Sequence, residues 1–407
     1  MASAAPLSKP LTASGLNSPG LNSLGLNSLG LPTAPQDTRV VVAMSGGVDS
    51  SVTAALLVEE GYDVVGITLQ LYDHGEAVKA KGACCAGSDI HDARTVAANL
   101  GIKHYVLDYE SRFQAQVMDD FADSYLRGET PIPCVRCNQT VKFVDLLKTA
   151  RDLGAACLAT GHYVRREIKD GAARLLRGVD AGKDQSYFLF ATTPEQLDYL
   201  RFPLGGMDKD ETRAHAKRFG LTIADKPDSQ DICFVPNGRY GDVVRRLRPG
   251  AVEAGEIVHH DGTVLGQHQG VIDYTIGQRR GLGIGGRKDS DAPLYVIGID
   301  AANHKVIVGE KEMLSCARVE IQDTNWISRT PPRPGQAVLA RLRNTAPALP
   351  AHIKAWPEAE SGAAEISLDE PQYGIASGQA AVFYDAENPD VVLGGGWITA
   401  APTQAPV

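Results

Sequence analysis

One glycine-rich turn constrains the fold of this 407-residue chain more than any other feature. The turn, SGGVDS at residues 45–50, follows an apolar run that predicts a buried parallel strand, and it opens an amphipathic segment that ends at Gly61. Glycines let the backbone approach an oxyanion closely, and a helix N-terminus directs free N–H groups toward it. Because no GxxxxGK[ST] lysine is present, this is not the loop that grips β- and γ-phosphates for phosphoryl transfer. The pattern predicts an anion cradle; the alternative is a plain Gly-Gly turn, against which Ser45, Asp49 and Ser50 argue.

The composition is that of a soluble globular enzyme, with 43% hydrophobic and 22% charged residues. No apolar run is long enough to span a bilayer, so we expect no membrane partner. Seven irregularly spaced cysteines do not fit a secreted disulfide framework, and we expect a cytoplasmic protein. The net charge of −9 argues against a generic polyanion binder. Nucleic acid stays open because basic residues cluster locally, at Arg165-Arg166, Arg245-Arg246 with Arg248, Arg279-Arg280, and Arg341 with Arg343.

The first 37 residues differ in amino-acid composition from the rest of the chain. GLNS recurs there, and a segment of Gly, Asn, Ser and Pro with almost no charge buries too little surface to order itself. With a single lysine and no arginine before Arg39, it resembles neither an export signal nor an Arg-rich transit peptide. We expect residues 1–37 to be a disordered leader, or to result from an over-long start assignment.

Strand and helix patterns alternate over residues 38–235. Apolar runs predict strands at 39–44, 63–71, 103–107 and 156–160, and helical periodicity predicts helices at 50–60, 92–100, 111–127 and 141–153. This alternation predicts an α/β domain whose parallel sheet is covered on both faces. Ligands then bind beyond the carboxyl ends of the strands, where SGGVDS lies.

The pattern changes after about residue 235 to short Val/Ile-rich runs separated by turn residues. We predict a small β-rich domain at 236–312 and a closed antiparallel β-barrel at 313–407. Nothing in the sequence fixes the boundary well between residues 225 and 320.

The cysteines suggest metal or thiol chemistry. Cys134 and Cys137 form a CxxC in a proline-stiffened loop, which we expect to precede a helix starting near Val141. A thiol near a helix N-terminus and Arg136 ionises more readily, and a thiolate is both a nucleophile and a metal ligand. Cys233 stands alone, far along the chain. We interpret Cys157 and Cys316 as small buried hydrophobes and leave Cys84 and Cys85 undecided.

Eight collinear stretches over residues 39–400 resemble the MnmA family of bacterial tRNA-uridine 2-sulfurtransferases. They are SGGVDSSV, CNQTVKF, TGHYVR, KDQSYFL, DSQDICF, YTIGQRRGLGIGG, VFY and LGGGWI. The first resembles the PP-loop of the wider ATP pyrophosphatase superfamily, whose other members lack the remaining stretches. The resemblance implies a PP-loop domain followed by a small β-rich central domain and a C-terminal antiparallel barrel.

The resemblance also implies ATP-dependent 2-thiolation of the wobble uridine of tRNA, with Mg²⁺ as cofactor. Its partners are tRNA and a sulfur-donor protein, either a cysteine desulfurase or a sulfur carrier. Cys137 matches the family's nucleophile, and Cys233 matches the cysteine that carries the persulfide. The ATP-contacting positions match Ala43, Met44, Ser45, Gly46, Gly47, Val48, Asp49, Ser50, Leu69 and Gly161. The tRNA-contacting positions match Ile132, Pro133, Cys134, His162, Lys183, Asp184, Gln185, Arg341, Leu342 and Gln379.

One departure from the family pattern leaves the mechanism open. Many members have Asp where this chain has Cys134, so a carboxylate has been replaced by a thiol. Cys134, Cys137 and Cys233 are therefore also candidate ligands of an iron–sulfur cluster with one open iron, or of zinc with a fourth ligand. An amide ligase built on the same loop leaves the cysteines and the β-rich half unexplained. A non-catalytic tRNA-binding protein would not need an intact SGGVDS.

Overall fold

The structure is a computed structural model that describes residues 25–72, 86–228, 231–235, 238–284, 292–355 and 362–400. Residues 1–24 of the expected leader lie outside the described residues, as do Cys84 and Cys85. Among the described residues, every helix is too short or too polar to cross a lipid bilayer.

A five-stranded sheet organises the first domain, and all of its strand pairs are parallel, as predicted. In sheet order the strands are β3 (Lys103–Asp108), β2 (Asp63–Gln70), β1 (Arg39–Ala43), β4 (Cys157–Ala159) and β7 (Leu200–Arg201). Val40, Val41 and Val42 in the central strand are fully buried. Successive side chains of a strand point to opposite faces, so both faces of this sheet are covered.

The helices of the described chain lie mainly between these strands. They are α1 (Val48–Glu59), α2 (Ala86–Leu100), α3 (Glu110–Phe113, π-helical Gln114–Met118 and Asp119–Leu126), α4 (Pro133–Arg136, π-helical Cys137–Leu146 and Leu147–Asp152), α5 (Pro194–Tyr199), α6 (Lys209–Arg218) and α7 (Tyr240–Leu247). The expectation that α4 starts near Val141 is wrong, because the helix begins at Pro133. Proline fits the first position of a helix, where its missing N–H costs nothing. Both cysteines of the CxxC therefore lie in the first turns of a helix.

The central domain is a four-stranded sheet in the order β10, β11, β8, β9. The strands are β8 (Gly255–His259), β9 (Val264–His268), β10 (Tyr295–Asp300) and β11 (Lys305–Gly309). β8 and β11 run parallel, while the two outer pairs are antiparallel. Ile257 and Val308 of this sheet share one apolar cluster with Cys137 and Phe234. The central domain thus packs directly against both cysteine-bearing segments.

The C-terminal strands close into the predicted antiparallel barrel. They are β12 (Ser315–Trp326), β13 (Ala337–Arg341), β14 (Leu349–Ala355), β15 (Ala364–Tyr373), β16 (Ala380–Asp385) and β17 (Val391–Ala400). Their order is β12, β15, β14, β13, β16, β17, and pairing of β17 with β12 completes the ring.

A hairpin of the first domain extends the barrel sheet. It consists of β5 (Val164–Lys169) and β6 (Ala172–Arg177), and β6 pairs with the start of β17. This hairpin was not predicted, because Arg165-Arg166 was interpreted as a basic cluster. Its apolar residues Leu175 and Leu176 are buried. The first and third domains therefore share one continuous sheet.

Part of the expected leader is folded onto the first domain, so the prediction of disorder is wrong for residues 25–37. The Asn27 side chain accepts hydrogen bonds from two backbone N–H groups, at 2.9 and 3.0 Å, and shapes a turn. Leu29 is buried in the core of the α/β domain, and its carbonyl accepts a hydrogen bond from Arg201 at 2.6 Å. The average composition of the leader conceals one apolar residue, Leu29, close to an asparagine that shapes a turn.

Candidate active site

The glycine-rich turn lies at the carboxyl end of β1 and leads directly into α1. Gly46 has a φ of +79°, and a Cβ there would lie 2.1 Å from the carbonyl oxygen of Asp89, so only glycine fits. The Ser50 hydroxyl accepts a hydrogen bond from the Ser45 N–H at 3.1 Å and donates to the Gly47 carbonyl at 3.2 Å. Gly47 occupies the N-cap and has no side chain to occupy the N–H groups of the first turn. The turn has the geometry of an anion cradle.

Two further predicted ATP positions lie beside this cradle. Gly161 follows β4, and a Cβ there would lie 2.8 Å from the carbonyl carbon of Asp49 and 2.9 Å from the Ser50 nitrogen. The absence of a side chain thus allows the end of β4 to contact the first turn of α1. Leu69 is near the carboxyl end of β2, the strand that pairs with β1, and is packed against the core.

A network of ion pairs lies next to the cradle. The Asp49 carboxylate accepts hydrogen bonds from the Tyr163 hydroxyl at 2.8 Å and from Lys209 at 2.7 Å. Lys209 also contacts Asp228 at 2.7 Å, and Lys183 contacts the other Asp228 oxygen at the same distance. Burial would raise the pKa of Asp228, but hydrogen bonds from the two lysines outweigh it and lower the pKa to about 2. Sequence reasoning missed Lys209, which lies in no recognised motif. It also did not single out Tyr163, although this residue lies in the TGHYVR stretch.

Lys226 joins the cradle to the segment that carries Cys233. Its ammonium donates to the Gly46 carbonyl at 3.1 Å and to Asp89 and Asp92 at 2.6 Å each. It lies two residues before Asp228, just ahead of the DSQDICF stretch. The motif indicated the importance of this segment, but the sequence did not reveal that it contacts the loop backbone.

The structure brings the three predicted cysteines together around Lys142. Cys134 and Cys233 are exposed and Cys137 is buried, and all three are free thiols. Although Cys134 and Cys233 reach the surface, the protein atoms around all three sulfurs desolvate them and raise the pKa of each thiol, to about 12 for Cys233. The Lys142 ammonium acts in the opposite direction. Burial alone would lower the pKa of Lys142, but its three sulfur neighbours together raise it. Lys142 lies in the CNQTVKF stretch and was not singled out from the sequence.

The cysteine geometry bears on the metal hypotheses. A single ion requires its ligand atoms close together, and the three sulfurs do not all lie within 4.8 Å of one another. The arrangement therefore disfavours a preassembled zinc site. An iron–sulfur cluster is larger and holds its cysteine sulfurs farther apart, and three thiols are the donor type it takes. By donor type, these residues therefore fit a cluster.

His162 lies next to the cradle and is affected by the charge of Lys142. It follows Gly161, and its Nδ1 lies 2.9 Å from the Thr160 hydroxyl. Burial, and next the Lys142 charge, lower the pKa of His162 to about 3, so its imidazole is neutral at physiological pH. The charge of Lys142 therefore acts on His162, the residue that follows Gly161 next to the first turn of α1.

Two of the predicted tRNA positions form a nearly buried ion pair between domains. The Asp184 side chain is only 4% exposed and accepts a hydrogen bond from Arg341 of the barrel at 3.2 Å. The neighbouring Gln185 accepts from the Tyr163 N–H at 2.9 Å. These contacts hold the first domain to the barrel, and tRNA contact by these residues stays a prediction.

The loop before α4 is also attached to the barrel. Gln379 donates to the Thr130 carbonyl at 2.8 Å, and the Thr130 N–H donates to the Ser377 carbonyl at 2.8 Å. Ile132, Pro133 and Leu342, three further predicted tRNA positions, are buried. The barrel therefore positions the cysteine helix, while RNA contact by these residues stays untested.

Several arginines of the predicted basic clusters pair with carboxylates. Arg165 pairs with Asp390, Arg245 with Asp273, and Arg248 with Asp119 and Asp123. Most of these pairs join different elements. Such pairs neutralise charge that would otherwise have been available to RNA.

Three family models match consecutive parts of the chain. Their descriptions and ranges are tRNA methyl transferase HUP domain at 38–237, tRNA methyl transferase PRC-barrel domain at 245–310, and Aminomethyltransferase beta-barrel domain at 317–398. A curated relative, the tRNA-specific 2-thiouridylase MnmA of Rhodospirillum centenum, is 64% identical over 90% of this chain and 93% of its own length. The chain belongs to the MnmA family. The resemblance seen in the sequence is thereby confirmed.

Other MnmA proteins are similarly close. Those of Maricaulis maris and Parvibaculum lavamentivorans are each 60% identical over 90% of this chain, covering 88% and 92% of their own lengths. The crystal structure of a 4-thiouridine synthetase–RNA complex with bound ATP has 16% identity and a TM-score of 0.31. It covers 52% of this chain and 51% of that one, a likeness too weak to support an argument about function.

Proposed function

We propose that this enzyme is a tRNA-modifying sulfurtransferase that uses ATP to convert the wobble uridine of tRNA anticodons to 2-thiouridine. The observation that carries the proposal is the grouping of Cys134, Cys137 and Cys233 around Lys142, in the same domain as the anion cradle. Methyl transfer, which the descriptions of two family models name, would not need these thiols. The names of the curated relatives favour thiolation.

The first step is activation of the base. The cradle and the first turn of α1 hold the phosphates of ATP, which is a substrate of the reaction. The uridine O2 attacks the α-phosphorus, forming an O–P bond while the bond to the β-phosphate breaks and pyrophosphate leaves. Adenylation converts a poor leaving oxygen into a good one. Mg²⁺ supplies charge neutralisation on the phosphates, and Asp49, a carboxylate beside the cradle, is the donor type that would hold it.

The second step is sulfur transfer from a Cys233 persulfide. Its terminal sulfur attacks C2 of the base, and AMP leaves with the oxygen. Cys137 then attacks the inner sulfur, so the Cys137–Cys233 disulfide forms and the thiocarbonyl is released. Alternatively, Cys137 attacks first and frees the terminal sulfur as sulfide, which then attacks C2. Either order consumes one persulfide and ends in a disulfide that a thiol reductant must reopen.

The substrate must be an accessible base. C2 of a uridine in a duplex is hidden by stacking and pairing, so the target is a single-stranded loop base turned into the pocket. The persulfide is renewed by a sulfur-donor protein, a cysteine desulfurase or a sulfur carrier. We place the reaction in the cytoplasm, where thiols stay reduced.

An iron–sulfur cluster is the rival within sulfur transfer. Cys134, Cys137 and Cys233 would hold it, and an iron without a protein ligand would supply a binding place for incoming sulfide. The presence of Cys134 in place of the more common Asp gives the cluster its third thiol.

Single-turnover assays of cysteine variants test the proposal. Cys137→Ser and Cys233→Ser should still release pyrophosphate when uridine-bearing tRNA is added, yet form no thiouridine. Cys134→Asp should keep appreciable activity, because no sulfur passes through that position. Cys316→Ser is the control, since Cys316 is buried in the barrel and donates to the Arg318 carbonyl. Pyrophosphate release without any dependence on tRNA would point to an amide ligase instead.

Iron and acid-labile sulfide in protein prepared without oxygen decide between the two sulfur mechanisms. Iron-free protein that thiolates tRNA fully from a persulfide donor excludes an obligatory cluster. Activity that appears only after cluster reconstitution overturns the persulfide mechanism.

A further inference from the structure

A second group of ligand-type side chains lies in the central domain, away from the cysteines. His259 ends β8 and is buried, His260 follows it, and Glu310 comes directly after β11. β8 and β11 are parallel neighbours, with His259 opposite Val308, and the His260 N–H donates to the Val308 carbonyl at 3.0 Å. The sheet register therefore brings the three side chains together. Over the described part of the chain, they form the one set of three or more His, Cys, Asp or Glu residues with ligand atoms all within 4.8 Å.

The distances in this group suit a metal ion better than direct hydrogen bonds. The Nε2 atoms of His259 and His260 lie 3.6 and 3.5 Å from the two carboxylate oxygens of Glu310. Protein hydrogen bonds between nitrogen and oxygen are shorter, about 2.7–3.2 Å. Two ligand atoms each about 2.1 Å from a tetrahedral ion lie roughly 3.4 Å apart. The observed separations match that spacing.

Asp261 adds the outer contact that metal-binding histidines usually have. Its carboxylate lies 2.9 Å from Nδ1 of His259, and its other oxygen accepts the Thr263 N–H at 2.9 Å. With the Asp261 carboxylate beside Nδ1, it is Nε2 of His259 that faces Glu310.

The group is open on one side. His260 and Glu310 are each 37% exposed, whereas His259 is 3% exposed. Solvent can therefore reach the centre of the group, which gives an ion a route in and a water molecule a position as the fourth ligand.

We propose that His259, His260 and Glu310 bind one transition-metal ion, with Zn²⁺ as the best match, and that Asp261 orients His259. Imidazole and carboxylate ligands at tetrahedral spacing are those that zinc takes. The ion would join the end of β8 to the segment after β11. Because Ile257 and Val308 of these strands pack in the apolar cluster of Cys137, the site would stiffen the wall behind the thiols without touching substrate.

Metal titration of the full-length protein tests the site. The cysteines are first alkylated with iodoacetamide under denaturant-free conditions, and metal is removed by dialysis against a chelator. ZnCl₂ alone is then titrated in a calorimeter, and CoCl₂ is titrated while the visible absorption is recorded. We expect about one ion per chain and the intense cobalt bands of a tetrahedral nitrogen–oxygen site, without thiolate charge-transfer absorption.

Three variants locate the ligands. His260→Gln should weaken zinc binding by more than about a hundredfold, since a ligand is lost. Asp261→Asn, whose amide oxygen can still accept the Thr263 N–H, should weaken it about 10–100-fold through loss of orientation. His352→Gln should have no effect, because His352 lies in the barrel, where it pairs with Asp369 at 3.0 Å.

Three outcomes would overturn the proposal. They are a wild-type stoichiometry near zero, equal zinc affinity of His260→Gln and wild type, and complete loss of binding on alkylation. Because His260 is partly exposed, its variant should fold, and its far-UV circular dichroism checks this. Should His260→Gln not fold, the cobalt spectra of wild type and Asp261→Asn decide the question, since identical affinities and spectra would contradict the site.

Discussion

Replacing Asp228 with Asn measures the strength of the ion network beside the anion cradle. Asp228 accepts hydrogen bonds from Lys183 and Lys209, and its side chain is 18% exposed. Its pKa is about 2 in the folded protein against about 3.9 in an unfolded chain, a difference worth about 2.6 kcal/mol at neutral pH. Solvent screening reduces this figure, so we expect the variant to lose about 2 kcal/mol of local stability.

Native-state hydrogen exchange is the suitable assay, because it resolves the opening of α1 and α6 without requiring the whole chain to unfold in one step. Asp63→Asn is the matched control. Asp63 pairs with Arg39 at 2.7 Å, but both side chains are nearly half exposed, so its loss should cost about 0.5 kcal/mol.

The direction of the Asp228 pKa shift determines how its contribution to stability changes with pH. Since the folded pKa lies below the unfolded one, the contribution of Asp228 is present above about pH 4 and is lost as the pH falls from about 4 toward 2. The difference between wild type and Asp228→Asn should therefore stay constant from pH 8 to pH 5 and shrink below pH 4. A difference no larger than that of the control, or one that changes between pH 8 and 5, would refute the reasoning.

Two further changes test the cradle and the thiols. Gly161→Ala should abolish ATP binding, measured by calorimetry, because its Cβ would lie under 3 Å from the backbone of the first turn of α1. Gly206→Ala is the control and should bind ATP normally, because a Cβ at residue 206 meets open space. Lys142→Met should slow alkylation of Cys134 at neutral pH, followed by peptide mass spectrometry, because the pKa of Cys134 rises further once the ammonium is removed. Lys148→Met, an exposed lysine in the same helix, is the control, and equal rates in all three proteins would contradict the role of Lys142.

The sequence predicted the parallel sheet and the cradle because both depend on local signals. An apolar run, two glycines and a helix start lie within a few residues of each other at 39–59. The barrel was predicted for the same reason, from short alternating strands. The start of α4 was misplaced because Pro133 was interpreted as a loop stiffener, although proline also fits the first turn of a helix.

The partners of the site residues could not be predicted, since they depend on contacts between distant segments. Lys209 and Lys226 reach the cradle from more than 150 residues away. A lone lysine in a polar helix has no pattern that distinguishes an ion-pair partner from a solvated surface charge. The meeting of Cys137 and Cys233 came from the family resemblance, whereas the position of Lys142 between them required the structure.

The pairing of β6 with β17 limits which segments of the chain can be exchanged between homologous proteins. The three family models divide the chain into consecutive blocks, yet a strand from the first block forms part of the sheet of the last. A barrel transplanted alone would leave the start of β17 as an unpaired edge, a template for association with other chains. A chimera between two MnmA proteins should therefore take β5, β6 and β17 from the same parent. In such a chimera, the paired strands β6 and β17 must stay together, even though they belong to different blocks of the sequence.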